Sequence, residues 1–191
     1  MSNLSKIASE RKIRPSPQKG LMKISLRNAK QTDLPFLERM LYEAVFWRAN
    51  PNKPSFEEGM ANPEVRKSVA NWGKRNGDTA VIATVNATPV GAAWYRYWTD
   101  DNFIRGYIDV QIPALVIGVV HNYRRLGIGQ KMLEWLINRA AQDGIPKISL
   151  MVSKDNNAIH LYKQQSFLQY ADKGDSLLMV RQITMKTQQD S

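Results

Sequence analysis

The sequence predicts a mixed fold of the α+β class: one mostly antiparallel sheet, a central parallel strand pair and helices on both faces. Three observations carry this. The elements read in the order β-α-α-β-β-β-α-β-α-β-β. The unbroken apolar run 114–120 leads through an amphipathic segment into a second strand at 147–152, and a strand-helix-strand unit joins parallel neighbours with a right-handed crossover. The 191 residues, 43% of them apolar, suit one domain with a core of ordinary size.

Each element follows from its own pattern. A strand is expected near residues 23–28. Leu34, Leu37, Leu41, Ala44 and Val45 then recur at helical spacing, with Thr32 as the cap. Pro51 and Pro54 interrupt, and a second helical stretch covers 55–72 with a break at Pro63. Residues 79–85 and 90–98 read as strands joined by the loop Asn86-Ala87-Thr88-Pro89. Residues 99–113 form an irregular loop. The run 114–120 has the composition of a strand buried on both faces. A helix over 126–142 follows, with Ile128, Met132, Leu133, Leu136, Ile137 and Ala140 inward and Gly144 closing it. A strand at 147–152, a helix at 155–165 and strands at 167–171 and 177–183 complete the domain, placed at 22–186. No internal repeat is present.

Charge and composition narrow the function classes. The chain has no cysteine, which excludes a disulfide framework, a cysteine-ligated zinc site and a thiol nucleophile; no metal is expected. No run of eighteen apolar residues occurs, and residues 1–20 lack an apolar signal core. A soluble cytoplasmic protein with no membrane partner is the expectation. The formal net charge is +10. Residues 1–21 read as a basic, flexible extension, in which Lys6, Arg11, Lys12, Arg14 and Lys19 stand against Glu10 alone; 187–191 read as a tail. Such charge suits a nucleic acid, a phosphate-rich coenzyme or simply a solvated surface. No nucleic-acid motif accompanies it, so that reading ranks last.

The strongest chemical signal is strand, basic turn, glycines, helix. Val119 and Val120 run into His121-Asn122-Tyr123, then Arg124-Arg125-Leu126-Gly127-Ile128-Gly129-Gln130. The first N–H groups of a helix lack intrahelical partners, and the helix dipole adds partial positive charge there. Glycines let a phosphate approach the backbone, and arginine can clasp phosphate oxygens. Two rival motifs fail. A Walker loop needs Gly-Lys followed by Ser or Thr. A dinucleotide fingerprint needs a glycine where Met132 stands. The remaining alternative is a tight structural turn with surface arginines.

At these residues the chain resembles the GCN5-related N-acetyltransferases (GNAT). Their coenzyme motif, Arg or Gln, two residues, Gly, one residue, then Gly or Ala, is matched by Arg124, Gly127 and Gly129, with Tyr123 before it. A second motif agrees: Ala158, Leu161, Tyr162 and Phe167 stand in register with the family's Asn-x-x-Ala-x-x-Leu-Tyr-x-x-x-Gly-Phe. Asp155, with Asn156 beside it, replaces the asparagine, and Ser166 replaces the glycine. The resemblance covers about residues 23–183. It implies a GNAT-like fold with acetyl-CoA as cosubstrate, its pyrophosphate on the backbone of 124–130 and its pantetheine arm along Val119 and Val120, with Asn156 and Tyr162 also at the coenzyme.

The implied reaction is attack of an amine on a thioester. A lysine-like amine is neutral in only about one molecule in 2,500 at pH 7, so a base helps. Glu43, Asp109 and His121 are the candidates. The central strand itself carries no acid, which favours a water-relayed base or an amine that arrives neutral. Val119 or Val120 would donate an N–H to the oxyanion. Tyr162 would serve the leaving thiolate; a phenol is a weaker acid than a thiol, which suits a hydrogen bond better than full proton transfer. By alternation Trp94 and Trp98 share one face and Tyr95 and Tyr97 the other, as core or, with Phe46 and Trp47 opposite, as an aromatic acceptor wall. The expected activity is N-acetyl transfer to a primary amine of a small molecule or peptide. A catalytically silent acyl-CoA binder is the alternative, and a homodimer is compatible with either.

Overall fold

The computed structural model describes residues 22–184. The expected extension at 1–21 and the tail at 187–191 lie outside the described residues. Among the described residues, no helix is long and apolar enough to cross a membrane.

Seven strands form one sheet: β1 (Ile24–Asn28), β2 (Thr79–Val85), β3 (Thr88–Arg96), β4 (Ala114–Val119), β5 (Lys147–Ser153), β6 (Leu168–Lys173) and β7 (Ser176–Gln182), in the spatial order β1-β2-β3-β4-β5-β7-β6. Every neighbouring pair is antiparallel except β4–β5, which is parallel. The long helix α4 (Ile128–Gln142) makes the crossover between them. Its inward residues are the six expected, and all are buried. They join Val81, Ala93, Tyr95, Leu150 and Phe167 in one core, while α1 (Leu34–Val45) packs on the opposite face over Ile82, Ala92 and Trp94.

Local chemistry moves several boundaries. Asn86 and Ala87 both take positive φ, 49° and 64°, so a two-residue turn of mirror-image type closes the β2–β3 hairpin. The strand therefore starts at Thr88 and ends at Arg96, not 90–98. Thr32 is not the cap of α1. It lies in a 3-10 turn, and Asp33 precedes the helix with its carboxylate held by Arg27 at 2.7 Å. Pro63 breaks the second helical stretch as expected. It divides α2 (Phe56–Ala61), capped by Ser55 and Glu58, from α3 (Pro63–Arg66), and 67–77 run as turns. α5 spans Ala158–Gln164 rather than 155–165, because the Asn156 carboxamide oxygen accepts the Ala158 N–H at 2.9 Å and sets its start. Asp155 does not cap it.

A buried ion pair staples the turns after α3 to the sheet. Arg96 is buried and binds Asp78 at 2.7 Å, and it also donates to the Ala70 carbonyl at 2.9 Å. The pair fixes 67–78 against β3, with the guanidinium over the rings of Trp72 and Trp98.

Candidate active site

The site begins where β4 and β5 part. Their only paired register is Ala114 with Ser149, at the start of β4. Beyond it the two strands diverge, leaving the β5-facing edge of β4 without a strand partner. Direction along this edge follows from alternation. The Val120 N–H donates to the Val90 carbonyl at 2.9 Å, toward β3. Successive strand residues turn their N–H groups to opposite edges, so the Val119 N–H faces the open gap. Of the two expected oxyanion donors, Val120 is therefore excluded by its own hydrogen bond.

The turn after β4 is built as an anion cradle. His121–Tyr123 form a 3-10 turn, Arg125 takes φ 62°, and Gly127 takes φ 82°. The helix starts at Ile128 rather than at Leu126, with Gly127 before it, and no side chain caps it. The first helical bond runs from Lys131 N–H to the Gly127 carbonyl at 3.1 Å. The amides of Ile128, Gly129 and Gln130 thus have no intrahelical partner. Dipole and open donors coincide at this one point, as phosphate binding requires. A Cβ added at Gly129 would stand 3.6 Å from Leu161 Cδ2 and 4.0 Å from Ile117 Cδ1. The cradle, α5 and β4 therefore converge.

The two arginines divide. Arg125 is exposed at the turn. The Arg124 guanidinium is held instead by protein oxygens: Nε donates to the Val119 carbonyl at 3.0 Å, Nη1 to the Trp47 carbonyl at 3.0 Å, and Nη2 to the Glu43 carboxylate at 2.6 Å and its carbonyl at 3.1 Å. This departs from the expected phosphate clasp. It also engages the Glu43 carboxylate in an ion pair. The Gln130 amide donates to Glu134 at 2.9 Å, and Leu126 is half-buried in the turn.

Tyr162 is buried on α5, edge-on to Phe167 with ring centroids 5.9 Å apart. Its hydroxyl makes no hydrogen bond among the described residues. Burial pushes the phenol well above its ordinary value, so it stays protonated. Ser166, in the family's glycine position, takes φ 58°; the left-handed turn persists despite the side chain.

An open cleft of about 530 Å³ lies against the end of α1, lined by Glu43, Trp47, Arg48, Asn50, Lys53 and His121. Two ion pairs cross its surroundings: Arg48–Asp155 at 2.7 Å and Arg105–Asp175 at 3.3 Å. Nothing in the sequence pointed to them, since their partners lie far apart in the chain. Asp109 is not here. It lines a different cleft with Pro146 and Lys147, at the amino end of β5, away from the cradle at the carboxyl end of β4. Trp94 and Tyr95 are core residues: the indole N–H reaches the Ser68 carbonyl at 3.3 Å and the phenol reaches Asp143 at 3.2 Å. Of the expected aromatic wall, Trp47 lines the cleft.

Comparison with known proteins gives the family and the fold. Residues 42–167 match the model of the Acetyltransferase (GNAT) family. Over 93 residues, 48% of the chain, it is 39% identical to the "Probable N-acetyltransferase san" of Drosophila melanogaster, covering 47% of that protein. Over the same length and share it is 37% identical to N-alpha-acetyltransferase 50 of Danio rerio, covering 52% of it. The matched region thus spans about half the length of these curated relatives. The fold is similar to that of the paia N-acetyltransferase of Thermoplasma acidophilum, solved in complex with coenzyme A: TM-score 0.61, 17% identity, 84% of this chain and 99% of that one.

Proposed function

The chain belongs to the GNAT acetyltransferase family, and from that premise we propose that it transfers the acetyl group of acetyl-CoA to a primary amine by direct attack on the thioester. The observation that carries this is the junction of two features: open amides at Ile128–Gln130 and the edge of β4 that has no strand partner beyond Ala114, which ends beside the cleft. The amides and Arg125 take the pyrophosphate. The pantetheine arm runs along β4 between the splayed strands. The Val119 N–H meets the carbonyl oxygen as it gains charge. The new N–C bond forms, the C–S bond breaks, the amine proton goes to water, and the Tyr162 hydroxyl hydrogen-bonds the departing thiolate. Asn156 holds the start of α5, and so Tyr162, in place.

The proton balance selects the acceptor. Glu43 is committed to Arg124 at 2.6 Å, and His121 lines the cleft with no side-chain partner to orient it among the described residues. Without a dedicated base, an amine that is already partly neutral has the advantage. An α-amino group, with a pKa near 7.7–8.0, is neutral in about one molecule in ten at pH 7, far more than a lysine side chain. The peptide α-amine is therefore the favoured acceptor, in keeping with the name of the zebrafish relative; small amines of similar pKa are equivalent in chemistry.

Thiol release from acetyl-CoA tests this with two peptides, one with a free amino terminus and no lysine, one with a blocked terminus and a lysine. The first should react faster at pH 7, and the gap should narrow by pH 9. Release no faster than hydrolysis with both, and with small primary amines, would sink the proposal.

A further inference from the structure

The Arg124 fork joins two elements. Two of its acceptors are the carbonyl of Glu43, in the last turn of α1 where helix carbonyls lack intrahelical donors, and that of Trp47, two residues beyond the helix. A third is the Glu43 carboxylate, and the fourth is the carbonyl of Val119 on β4. These four contacts engage all three nitrogens and up to four of the five N–H donors of the guanidinium side chain, which leaves as few as one for a phosphate. The pair is mostly covered, at 25% and 20% side-chain exposure. Arg125 has the opposite surroundings: exposed, and in no ion pair among the described residues.

We propose that Arg124 is a positioning residue, riveting the end of α1 and its acceptor cleft to the coenzyme strand, while Arg125 and the turn amides carry the phosphate. This rests on the coenzyme assignment above. The rivet has a functional consequence. Glu43 and Trp47 line the cleft, and Val119 carries the oxyanion donor. One side chain therefore fixes the acceptor wall relative to the donor. It also ties that wall to the turn that the coenzyme occupies, so acetyl-CoA binding tightens the wall. The Arg48–Asp155 pair gives the same segment a second attachment, but with 48% and 59% side-chain exposure it is a weak one.

The test combines acetyl-CoA calorimetry with backbone deuterium exchange over residues 46–53, on the full chain. Arg125→Gln should weaken acetyl-CoA binding about tenfold, the loss of one charge-assisted contact. Arg124→Gln and Glu43→Gln should each weaken it less than about threefold. In the unsubstituted protein, acetyl-CoA should slow exchange over 46–53. In Arg124→Gln it should bind and no longer slow that segment. Arg124→Lys keeps the charge but not the fork, and should behave like Arg124→Gln in exchange. A merely structural role predicts faster exchange with or without coenzyme, not loss of the coenzyme effect.

A tenfold loss of affinity in Arg124→Gln with Glu43→Gln unchanged would make Arg124 a phosphate ligand and overturn the proposal. Undiminished slowing over 46–53 in Arg124→Gln would overturn it as well. If Arg124→Gln does not fold, Glu43→Gln decides by the same exchange comparison, since it leaves the three carbonyl contacts intact and should halve the slowing or more. Absence of acetyl-CoA binding by the unsubstituted protein would sink the coenzyme assignment instead. In that event the coenzyme-linked tightening of the wall falls with it, and equal exchange over 46–53 in the unliganded parent and Arg124→Gln would overturn the rivet as well.

Discussion

At Gly127 an added Cβ would meet nothing within 4 Å, yet the backbone has φ 82°. Conformation, not space, calls for glycine there; a left-handed β-branched residue costs about 1–2 kcal/mol. Gly127→Val should keep a cooperative unfolding transition and lower acetyl-CoA affinity by about tenfold or more, because it re-aims the amides that follow. Unchanged calorimetric affinity would remove the pyrophosphate from this turn. Tyr162 tests the leaving-group end. Its hydroxyl has no protein partner among the described residues, so Tyr162→Phe should unfold within about 1 kcal/mol of the parent while turnover falls about tenfold or more. The same residue has a pH signature. Burial raises the folded-state phenol above its unfolded value of about 10. The unfolded chain then releases this proton first, so the stability contribution is whole below pH 10 and declines as pH rises beyond it. Urea midpoints at pH 8 and 11 should fall less in Tyr162→Phe than in the parent; equal falls would contradict a buried phenol.

Among the elements, the close approach of α1 to β4 depends on Gly118. A Cβ there would collide with the Met40 backbone. Gly118→Ala should destabilise by about 1–3 kcal/mol in urea and displace the end of α1, raising the acceptor KM more than it weakens acetyl-CoA. Ser166, at φ 58° after α5, should behave the other way. Ser166→Gly relieves the left-handed cost and adds freedom to the unfolded chain, for a net gain of about 0.5–1 kcal/mol by thermal unfolding. A loss of stability would mean that the hydroxyl has a role unseen here. Element identity was legible because each core face repeats along its own element. Ile128, Met132, Leu133 and Leu136 carry helical spacing that only α4 can satisfy. Boundaries were less legible because capping is decided by single contacts. Asn156, not Asp155, takes the Ala158 N–H, since Asp155 is drawn to Arg48 at 2.7 Å.

For the whole molecule, the single parallel pair followed from local pattern plus the handedness of one crossover, whereas the place of β7 between β5 and β6 did not. The turn proposed for the coenzyme was legible as a turn because Arg124 to Gly129 is contiguous, and its open amides belong to the backbone. The acceptor side was not. Its wall is set by contacts such as Arg124–Glu43 and Arg48–Asp155, between residues distant in the chain, and local periodicity carries no trace of them. Asp109 shows the limit from the other direction. It precedes the central strand, yet its loop leads to the amino end of β5, with Pro146 and Lys147. The central claim remains that this fold holds acetyl-CoA by the open amides at the start of α4. Its most direct test is a calorimetric titration of the full chain with acetyl-CoA, with coenzyme A and ATP as comparisons. Saturable binding of acetyl-CoA and coenzyme A, with ATP much weaker, is the predicted result. No acetyl-CoA binding to folded protein, or equal binding of ATP, would contradict the account.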